Sequence, residues 1–556
     1  MTGMPGSGGV AHRTPFDLLT KRLLAAALLA PALAAALVAA WLLVHPRTPD
    51  LAGQAYRVTL FHALGPAAWD EHWYGGHDLP GYSLLFPPVA ALIGLRLTAC
   101  LCALASAALF ARLAHAVYGP SSRWGAALFA LAAAADVWIG RLAFALGVSL
   151  ALAAALALVR GRALLAGLLA AACAAASPVA GLLLAMAGIT HALARRSMRS
   201  ALALAAPAAA LALALAALFP EGGSEPYPLL SLLATLAVAG AFVLALPHGQ
   251  PLLRVGALVY LLACVLCVAI RTPMGSNIER YAVLLAGPVL LCAHAGSRSR
   301  SARLRPTATQ FGHPTATLAA ALCVWLVWVV WGPARETLAV AGNESTRASY
   351  YAPVERFLAA AGDPVRVEVP LTRSHWEAAL LAPTVSLARG WEKQLDERYD
   401  RALLAPRLTA ASYGRWLREN AVSYVALPDA PLDPSSAAEG RLIAAGLPYL
   451  REVRASRHWR IYAVADSVPL LSGPGRLTSL GHDAIGLRAY RAGRFLLRVR
   501  YSRYLVVAAG RGCAARSPGG WTAVMARAPG PLLVQARFSL AGALDLQGAC
   551  RLSARA

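Results

Sequence analysis

The chain has 556 residues, is 58% hydrophobic and has a mean hydropathy of +0.55, which lies far above that of soluble globular proteins. The formal net charge is +24, but 49 of the 51 basic residues are arginine and they are spread along the chain rather than gathered in one patch. This distribution argues against a nucleic-acid partner and favours membrane topology combined with a cationic outer region.

The N-terminal half predicts a helical membrane bundle. Residues 1–22 form a polar leader that precedes an uninterrupted apolar run of 22 residues, Leu23 to Val44. A secretory signal has an apolar stretch of only about 7–15 residues, so this run predicts a retained anchor. Ten further runs predict spans at about 97–117, 124–138, 142–159, 163–176, 179–194, 201–219, 229–246, 255–270, 281–296 and 316–333. Residues 23–333 therefore predict about eleven transmembrane helices, with a first outer loop over 45–96.

Charge predicts the orientation of the bundle. With the leader in the cytoplasm, fifteen basic residues up to Arg305 fall inside and six fall outside, as the positive-inside rule requires. Of the nine acids before residue 334, only Asp17 falls inside and none lies mid-span. Coupled transporters usually carry intramembrane carboxylates, so this pattern argues against that class and predicts chemistry on the outer face.

The first outer loop contains the densest polar stretch, WDEHWYGGHDLPGYSLLFPP, from Trp69 to Pro88, which we call the polar loop. Interfacial loops often carry aromatic residues, and a purely structural cover is one interpretation. Two adjacent acids beside a Gly-Gly turn and two histidines favour another, in which a carboxylate acts as a general base. The predicted catalytic residues are Asp70, held between Trp69 and Trp73, and Glu71. Substrate contacts are predicted for His72, Trp73, Tyr74, His77 and Asp78, and the histidines leave a divalent metal ion open.

Other outer segments supply arginines. Arg96, Arg141, Arg271 and Arg280 flank predicted spans, and guanidinium groups recognise phosphate bidentately. Each one alone could snorkel to lipid headgroups, whereas the four together predict a phosphate or diphosphate site. Asn277, in the segment TPMGSNIERY, is predicted to contribute to the same substrate site.

Residues 334–556 have ordinary polarity and are predicted to lie outside. Residues 334–466 predict an α/β domain, with strands at Val365–Val369, Ser423–Leu427, Tyr449–Arg454 and Trp459–Val464 and helices at Glu377–Leu404, Tyr413–Asn420 and Pro434–Ala445. Residues 467–556 predict a β-sandwich, with strands at Leu487–Tyr490, Phe495–Tyr501, Tyr504–Ala509, Trp521–Ala526 and Leu532–Phe538. Of nine cysteines, only Cys513 and Cys550 lie outside the spans, so they predict either a disulfide or two buried thiols.

The polar loop, the segment TPMGSNIERY and the phrases LARGWEKQLD and NAVSYVAL together resemble the membrane proteins named "6-pyruvoyl-tetrahydropterin synthase-related". That family is grouped with the GT-C superfamily of polytopic glycosyltransferases. The resemblance implies a cytoplasmic N-terminus, a catalytic acid in the first outer loop at Asp70 or Glu71, and a polyprenyl-phosphate-linked sugar donor. It also implies inversion at the anomeric carbon.

Together these features predict a GT-C-like polytopic α-helical membrane protein of a bacterial plasma membrane with an extracytoplasmic α/β plus β-sandwich region. The predicted activity is transfer of a sugar from a polyprenyl-phosphate donor to an envelope glycan or glycolipid acceptor, with the lipid bilayer as a further partner and no certain cofactor. Two alternatives stay open, a lipid-linked-sugar flippase or transporter and a non-catalytic envelope assembly protein.

Overall fold

A computed structural model describes residues 15–301, 313–544 and 550. Most of the predicted leader, residues 1–14, and the basic residues Arg303 and Arg305 lie outside this range. The α-helices of the first part are α1 (Pro15–Val44), α2 (Pro49–Leu64), α3 (Phe86–Ile93), α4 (Leu95–Tyr118), α5 (Arg123–Ile139), α6 (Leu142–Val159), α7 (Ala163–Ala176), α8 (Pro178–Arg195), α9 (Ala206–Leu218), α10 (Leu229–Ala245), α11 (Pro251–Ala269), α12 (Glu279–Ser301) and α13 (His313–Val340). A π-helical stretch, Ala201–Ala205, leads into α9.

Seven helical stretches are long and apolar enough to cross a membrane: Leu95–Tyr118, Leu142–Val159, Pro178–Arg195, Ala201–Leu218, Pro251–Ala269, Gly275–Ser297 and Ala316–Val340. The number becomes eight if Leu28–Val44 and α2, which are bent by 83°, form one span. Eleven spans are therefore not confirmed within the described residues. Helices occupy the other predicted ranges, but α5, α7 and α10 have only 17, 14 and 17 residues. α5 ends at the left-handed Gly140, and α7 ends just before Pro178.

Small residues allow the helices of the bundle to approach closely. The buried core is dominated by alanine, with the stacked rings of Phe110 and Phe129 at its centre. A Cβ atom added to Gly125 on α5 would lie 2.6 Å from the carbonyl oxygen of Pro288 on α12. Packing of this kind is typical of membrane helices, where close contact takes the place of the hydrophobic effect.

Helix α2 was not predicted, because its sequence PDLAGQAYRVTLFHAL is too polar for a span. The 83° bend after Val44 turns it nearly at right angles to α1. Its start is fixed against the α5–α6 turn, since the Thr48 hydroxyl donates to the Ile139 carbonyl at 2.7 Å. A Cβ atom at Gly140 would lie 2.4 Å from the Leu51 nitrogen. α2 therefore runs across the end of the bundle, with Leu51, Tyr56 and Arg57 among its buried residues.

The polar loop forms a two-residue hairpin, β1 (Trp69–Asp70) and β2 (His77–Asp78), before α3. Its turn contains three consecutive residues with positive φ, namely Tyr74 (59°), Gly75 (67°) and Gly76 (130°). Glycine adopts such angles without the steric cost that a side chain imposes. This hairpin lies where the bundle meets both parts of the C-terminal region.

The first part of the C-terminal region is α/β. Its elements are α14 (Ala348–Ala361), β3 (Arg366–Glu368), α15 (Glu377–Leu380), β4 (Ser386–Leu387), α16 (Lys393–Tyr399), α17 (Ala410–Glu419), β5 (Val422–Pro428), α18 (Ala437–Ala444), β6 (Leu450–Ala455) and β7 (Trp459–Val464). The five strands form a mixed sheet in the order β4-β3-β5-β7-β6. The predicted long helix Glu377–Leu404 is wrong. Pro383 and Gly390 interrupt that segment, which contributes an edge strand between two short helices.

The second part is β-rich. Its strands are β8 (Leu471–Ser472), β9 (Gly475–Leu480), β10 (Ala484–Ala489), β11 (Gly493–Arg500), β12 (Leu505–Ala509), β13 (Gly512–Arg516), β14 (Trp521–Ala526) and β15 (Gly530–Ala536), followed by the short helix α19 (Leu540–Ala543). They form two antiparallel sheets, β12-β15-β10-β9 and β13-β14-β11-β8. One hydrophobic core joins both sheets, with Leu487 and Val534 from the first and Phe495 and Val524 from the second. Strands β8, β9 and β13 were not predicted.

Candidate functional site

The polar loop directs its successive side chains to different parts of the molecule. Trp69 is buried in the core of the β-rich part, whereas Asp70, next on strand β1, points to α2. The predicted bracketing of Asp70 by Trp69 and Trp73 is therefore wrong on the Trp69 side, because neighbouring strand residues face opposite ways. Glu71 points to strand β3 of the α/β part. Both carboxylates have 0% exposure.

Asp70 has hydrogen-bond partners on both carboxylate oxygens. The Tyr56 hydroxyl donates to Oδ2 at 2.7 Å, and Nδ1 of His482 lies 2.8 Å from Oδ1. Burial alone would raise the pKa of Asp70. The hydrogen bond to His482 and the charges of His77 and His482 outweigh that effect and lower the pKa to about 2.

His482, in the β9–β10 turn, is a contact that sequence reasoning missed. Its second ring nitrogen, Nε2, lies 3.2 Å from the Pro383 carbonyl oxygen. A carboxylate and a carbonyl only accept hydrogen bonds, so both ring nitrogens donate when the ring is protonated. The hydrogen bond to Asp70 raises the pKa of His482 despite its burial. His482 thus connects the bundle, the α/β part and the β-rich part at one point.

Glu71 forms a buried ion pair with Arg366. Nη2 of Arg366 lies 2.6 Å from Oε1 of Glu71, and the Ser386 hydroxyl donates to the same oxygen at 2.9 Å. Nη1 of Arg366 donates to the Asn420 carbonyl at 2.9 Å. Glu71 is therefore fully buried at the junction with the α/β sheet, with Oε1 bound by Arg366 and Ser386 and Oε2 without a hydrogen-bond partner among the described residues.

The other predicted contacts of the polar loop are also internal. Nδ1 of His72 lies 2.6 Å from the Ala382 carbonyl, and Nδ1 of His77 lies 3.2 Å from the Asp70 carbonyl. Trp73 donates to the Ala378 carbonyl at 3.0 Å and stacks on Tyr56. Within the described ranges, no group of three or more histidine, cysteine, aspartate or glutamate side chains could hold a metal ion.

Tyr74, in the turn of the hairpin, and Asp78, which pairs with Trp69 at its open end, also have internal partners. The Tyr74 hydroxyl donates to Asp396 at 2.9 Å, and the Ser502 hydroxyl donates to Asp78 at 3.1 Å. Burial raises the pKa of Asp78 to about 6. The Glu221 carboxylate accepts from the Asp78 backbone N–H. The polar loop therefore contacts the bundle, the α/β part and the β-rich part, and both of its predicted catalytic carboxylates, Asp70 and Glu71, are buried among these contacts.

A second cluster, below the start of α2, is half-open. Asp50 lies in the first turn of α2, and its side chain is 33% exposed. Nε of Arg141 lies 3.3 Å from Oδ2 of Asp50, and Nη1 lies 3.9 Å from Oδ1 of Asp136. The Arg141 side chain is 30% exposed. The close fit at Gly140 explains this pairing, since it brings the α5–α6 turn against α2.

Two of the four predicted arginines converge in this cluster. Arg280, at the start of α12, lies within electrostatic range of Arg141, Asp50 and Asp136, and its guanidinium stacks 5.0 Å above the Phe144 ring. Its Nε atom is buried without a hydrogen-bond partner. The convergence of all four arginines on one phosphate site stays a prediction. Arg96 and Arg271 are exposed, with no ion pair or hydrogen bond in the described part of the chain. Asn277 is buried and donates to the Pro273 carbonyl at 3.2 Å.

The polar face of α2 extends from this cluster. Gln54 and Arg57 follow Asp50 at helical spacing, and both meet Tyr82. Gln54 donates to the Tyr82 hydroxyl at 2.7 Å, and the Arg57 guanidinium lies 3.8 Å from the ring centre. Nη2 of Arg57 also bonds Glu392 at 2.6 Å. Oε1 of Gln54 and Nε of Arg57 are buried without partners. Buried unpaired polar atoms are rare, and here they lie beside a partly exposed carboxylate.

The sequence around Asp50 contains a local pattern that could have indicated this site. It was overlooked because the polar loop has many more polar residues. Thr48-Pro49-Asp50 is separated by three residues from the apolar run that ends at Val44 and has the pattern of a helix start, with proline in the first position and an acid in the first turn. Such an acid begins a helix at a membrane boundary. Its pairing with Arg141 spans 91 residues and has no local signature.

No family model matches this chain, and no curated protein matches it either. Twelve solved chains match it. One is the cryo-EM structure of the arabinofuranosyltransferase AftD from mycobacteria, with 20% identity and a TM-score of 0.48 over 83% of this chain. Another is a mutant of that protein, with 19% identity and a TM-score of 0.47, also over 83% of this chain. The matched regions cover 41% and 42% of those chains, so this chain spans less than half of their length.

Proposed function

We propose that this protein is a membrane glycosyltransferase of the GT-C type. It would transfer a sugar from a polyprenyl-phosphate donor to an envelope glycan or glycolipid at the outer face of the plasma membrane. The observation that carries the proposal is the half-open cluster at the end of the bundle, where a partly exposed carboxylate, Asp50, lies beside the guanidinium of Arg141. The charge asymmetry of the sequence supports the outer location.

The cluster has the groups that such a transfer needs. Asp50 removes the proton from an acceptor hydroxyl, and the oxygen attacks the anomeric carbon of the donor. The bond from that carbon to the phosphate oxygen breaks, and the electron pair leaves with polyprenyl phosphate. Arg141 and Arg280 stabilise the negative charge on the departing phosphate. The apolar bundle beneath accommodates the lipid tail.

Asp70 has a positioning role in this proposal. Its hydrogen bond to Tyr56 connects the polar loop to α2, the helix that begins with Asp50. Glu71 is fully buried and its Oε1 is bound by Arg366 and Ser386, which favours a structural role for it. The earlier assignment of the base to Asp70 or Glu71 thus moves to Asp50, and the polar loop holds the helix that carries it.

The test is turnover of purified full-length protein with a panel of polyprenyl-phosphate-linked pentoses and hexoses, read as release of polyprenyl phosphate. Asp50→Asn should lower the rate by about 10²–10⁴-fold, the usual contribution of a general base. Asp363→Asn, which changes an exposed carboxylate of the α/β part, should leave it unchanged. If Asp70→Asn lowers the rate as much as Asp50→Asn while its melting temperature is unchanged, the base is Asp70 and our assignment fails.

Two other classes make different predictions in the same preparation. A flippase or transporter moves labelled lipid-linked sugar across proteoliposomes without releasing polyprenyl phosphate. A non-catalytic assembly protein does neither, and Asp50→Asn leaves its partners bound. Either result would overturn the transferase proposal.

A further inference from the structure

The two ends of the β-rich part differ strongly in charge and in contacts. One end faces the rest of the molecule. There His482 contacts Asp70, the Arg500 backbone N–H donates to the Gly75 carbonyl at 2.6 Å, and the Tyr504 hydroxyl donates to the Leu218 carbonyl at 2.8 Å. The other end carries the β10–β11 and β14–β15 turns. It lies roughly 15–20 Å away, the length of a six-residue strand.

The distal end is rich in arginine. Residues 467–544 contain eleven arginines and a single acid, Asp483, which lies beside His482 at the near end. Six of the arginines lie at or next to the distal turns, and all six are exposed: Arg476, Arg488, Arg491, Arg494, Arg511 and Arg527. None of these side chains has a hydrogen bond or an ion pair within the part of the chain that the structure describes.

Two of them oppose each other directly across the sheet. Arg488 on β10 is the register partner of Arg476 on β9. Leu487 and Ala489, the chain neighbours of Arg488, are buried. Because successive side chains of a strand point to opposite faces, Arg488 lies on the outer face of its sheet. Like charges in this position destabilise a sheet, because the side chains are close and repel each other. No neighbouring carboxylate offsets the repulsion in the described residues, whereas a bound anion would.

An apolar cleft continues from this pair across the same sheet. Pro531 on β15 is the register partner of Arg488 on its other side. Pro531 also lines a cavity of about 500 Å³, together with Leu532, Leu533 and Arg511. Leu532 itself points into the core, so the apolar strip on this surface consists of Pro531 and Leu533. Arg476 and Arg488 lie on one side of the strip, and Arg511, in the β12–β13 turn, lies on the other.

We propose that this distal surface binds an acidic polysaccharide, a chain of sugars that carry carboxylate or phosphate groups. The apolar strip suits the C–H faces of the sugar rings, and the flanking guanidinium groups suit the anionic substituents. In the orientation proposed above, the surface projects into the cell envelope. This surface and the Asp50 cluster are different sites. Loss of polysaccharide binding would therefore leave the transferase proposal intact, and absence of transfer would leave the binding proposal intact.

The experiment measures binding of the detergent-solubilised full-length protein to polygalacturonate, with neutral dextran as the uncharged comparison. The triple variant R476Q/R488Q/R511Q should weaken polygalacturonate binding by about tenfold or more, since it removes three charged contacts. The matched control R451Q/R454Q/R460Q removes three exposed arginines from β6 and β7 in the α/β part and should change binding by less than about twofold.

Several outcomes would overturn the proposal. Equal losses in the two triple variants would mean that net charge alone attracts the polymer. Dextran binding as tight as polygalacturonate binding would remove the need for anionic groups. Competition by duplex DNA or by phosphatidylglycerol vesicles at equal charge concentration would assign the surface to another polyanion or to lipid. Both triple variants change exposed side chains, so neither should melt below the wild-type temperature. R476Q/R488Q/R511Q should melt at or slightly above it, because the repulsion between Arg476 and Arg488 is removed, and the melting curve checks that both variants fold.

Discussion

Asp70 and His482 are separated by 412 residues and share a hydrogen bond of 2.8 Å. The bond joins the start of the polar loop to the near end of the β-rich part. Because its strength depends on the protonation of both groups, the attachment of the β-rich part should depend on pH. The raised pKa of His482 and the lowered pKa of Asp70 define the window.

The sign differs for the two groups. The pKa of His482 is above its ordinary 6.5, so its contribution is complete below pH 6.5 and is lost as pH rises through the folded value. The pKa of Asp70 falls from 3.8 to about 2, so its contribution is present above pH 3.8 and is lost as pH falls toward 2. The bond is therefore strongest in mildly acidic solution.

We expect His482→Gln to lower stability by about 1.5–3 kcal/mol near pH 6, the range for hydrogen bonds to charged groups, and by less at alkaline pH. The measurement is the melting temperature of both proteins between about pH 5.5 and 8.5. Burial lowers the pKa of His77 to about 4, which gives the opposite trend, but it does so in both proteins. Parallel curves for wild type and variant would show that His482 is not charged in the fold.

The sequence predicted the apolar helices well, because each is defined by a continuous local run of residues. It also located most strands of the α/β part, where β-branched and aromatic residues lie between turns. It could not predict the Asp70–His482 bond or the Glu71–Arg366 pair. Nothing near Asp70 or Glu71 in the sequence indicates a partner that lies 412 or 295 residues further along the chain.

The proposed site at Asp50 was missed for a related reason. A dense group of polar residues suggests a catalytic site. In this fold the polar side chains of the polar loop instead bind the bundle, the α/β part and the β-rich part to one another. Asp50 is isolated in sequence, and it gains Arg141 as a neighbour only when the α5–α6 turn packs on α2. The number of spans was the other miss. The predicted runs 124–138 and 163–176 are helices with nearly the predicted bounds, Arg123–Ile139 and Ala163–Ala176, but they are short, and eleven spans are not confirmed among the described residues.

The orientation of the bundle gives a prediction of its own. The basic residues place residue 1 in the cytoplasm and the C-terminal region outside. A phosphatase reporter that is active only outside the cytoplasm, fused after residue 556, should be active, and a reporter active only in the cytoplasm should be silent. The reverse pair of results would place the Asp50 cluster on the cytoplasmic face and contradict transfer at the outer surface.

Cys513 and Cys550 are joined in the structure, with Cα atoms 5.8 Å apart and a sequence separation of 37. If the C-terminal region is exported, we expect the bond to form in cells. Chain-entropy arguments then give a stabilisation of about 3–4 kcal/mol for a loop of this length. Mass spectrometry of alkylated, unreduced protein checks the bond, and two modified thiols in protein isolated from the membrane would contradict it.

Arg141 should require a guanidinium rather than a simple positive charge. Arg141→Lys keeps the charge but loses the planar fork that binds phosphate with two hydrogen bonds, so donor affinity should fall by about tenfold. Arg271→Lys is the matched control, because Arg271 is exposed and has no contact with the cluster in the described residues. Equal affinities of the two variants for a polyprenyl-phosphate donor would remove Arg141 from the phosphate site.

Gly75 and Gly65 offer a comparison that isolates the Glu71–Arg366 pair. Both have a positive φ, 67° and 69°, which alanine adopts only with strain. At Gly65 ψ is −145°, outside the left-handed helical region, so the backbone cost of alanine there exceeds the roughly 1–2 kcal/mol typical of that region. They differ in their surroundings. A Cβ atom at Gly75 would lie 2.7 Å from the guanidinium carbon of Arg366. A Cβ atom at Gly65 would have no heavy atom of the described residues within 4 Å, apart from those of its chain neighbours.

Gly75→Ala should therefore move Arg366 away from Glu71 and leave a buried carboxylate without its partner. Loss of a buried ion pair typically costs about 3–5 kcal/mol, so Gly75→Ala should lower the melting temperature much further than Gly65→Ala. Limited proteolysis should also cleave the polar loop faster in Gly75→Ala, because the loop loses its attachment to β3. Similar melting temperatures and cleavage rates in the two variants would mean that Arg366 adjusts without cost, and the ion pair would then not be what holds the polar loop to the α/β sheet.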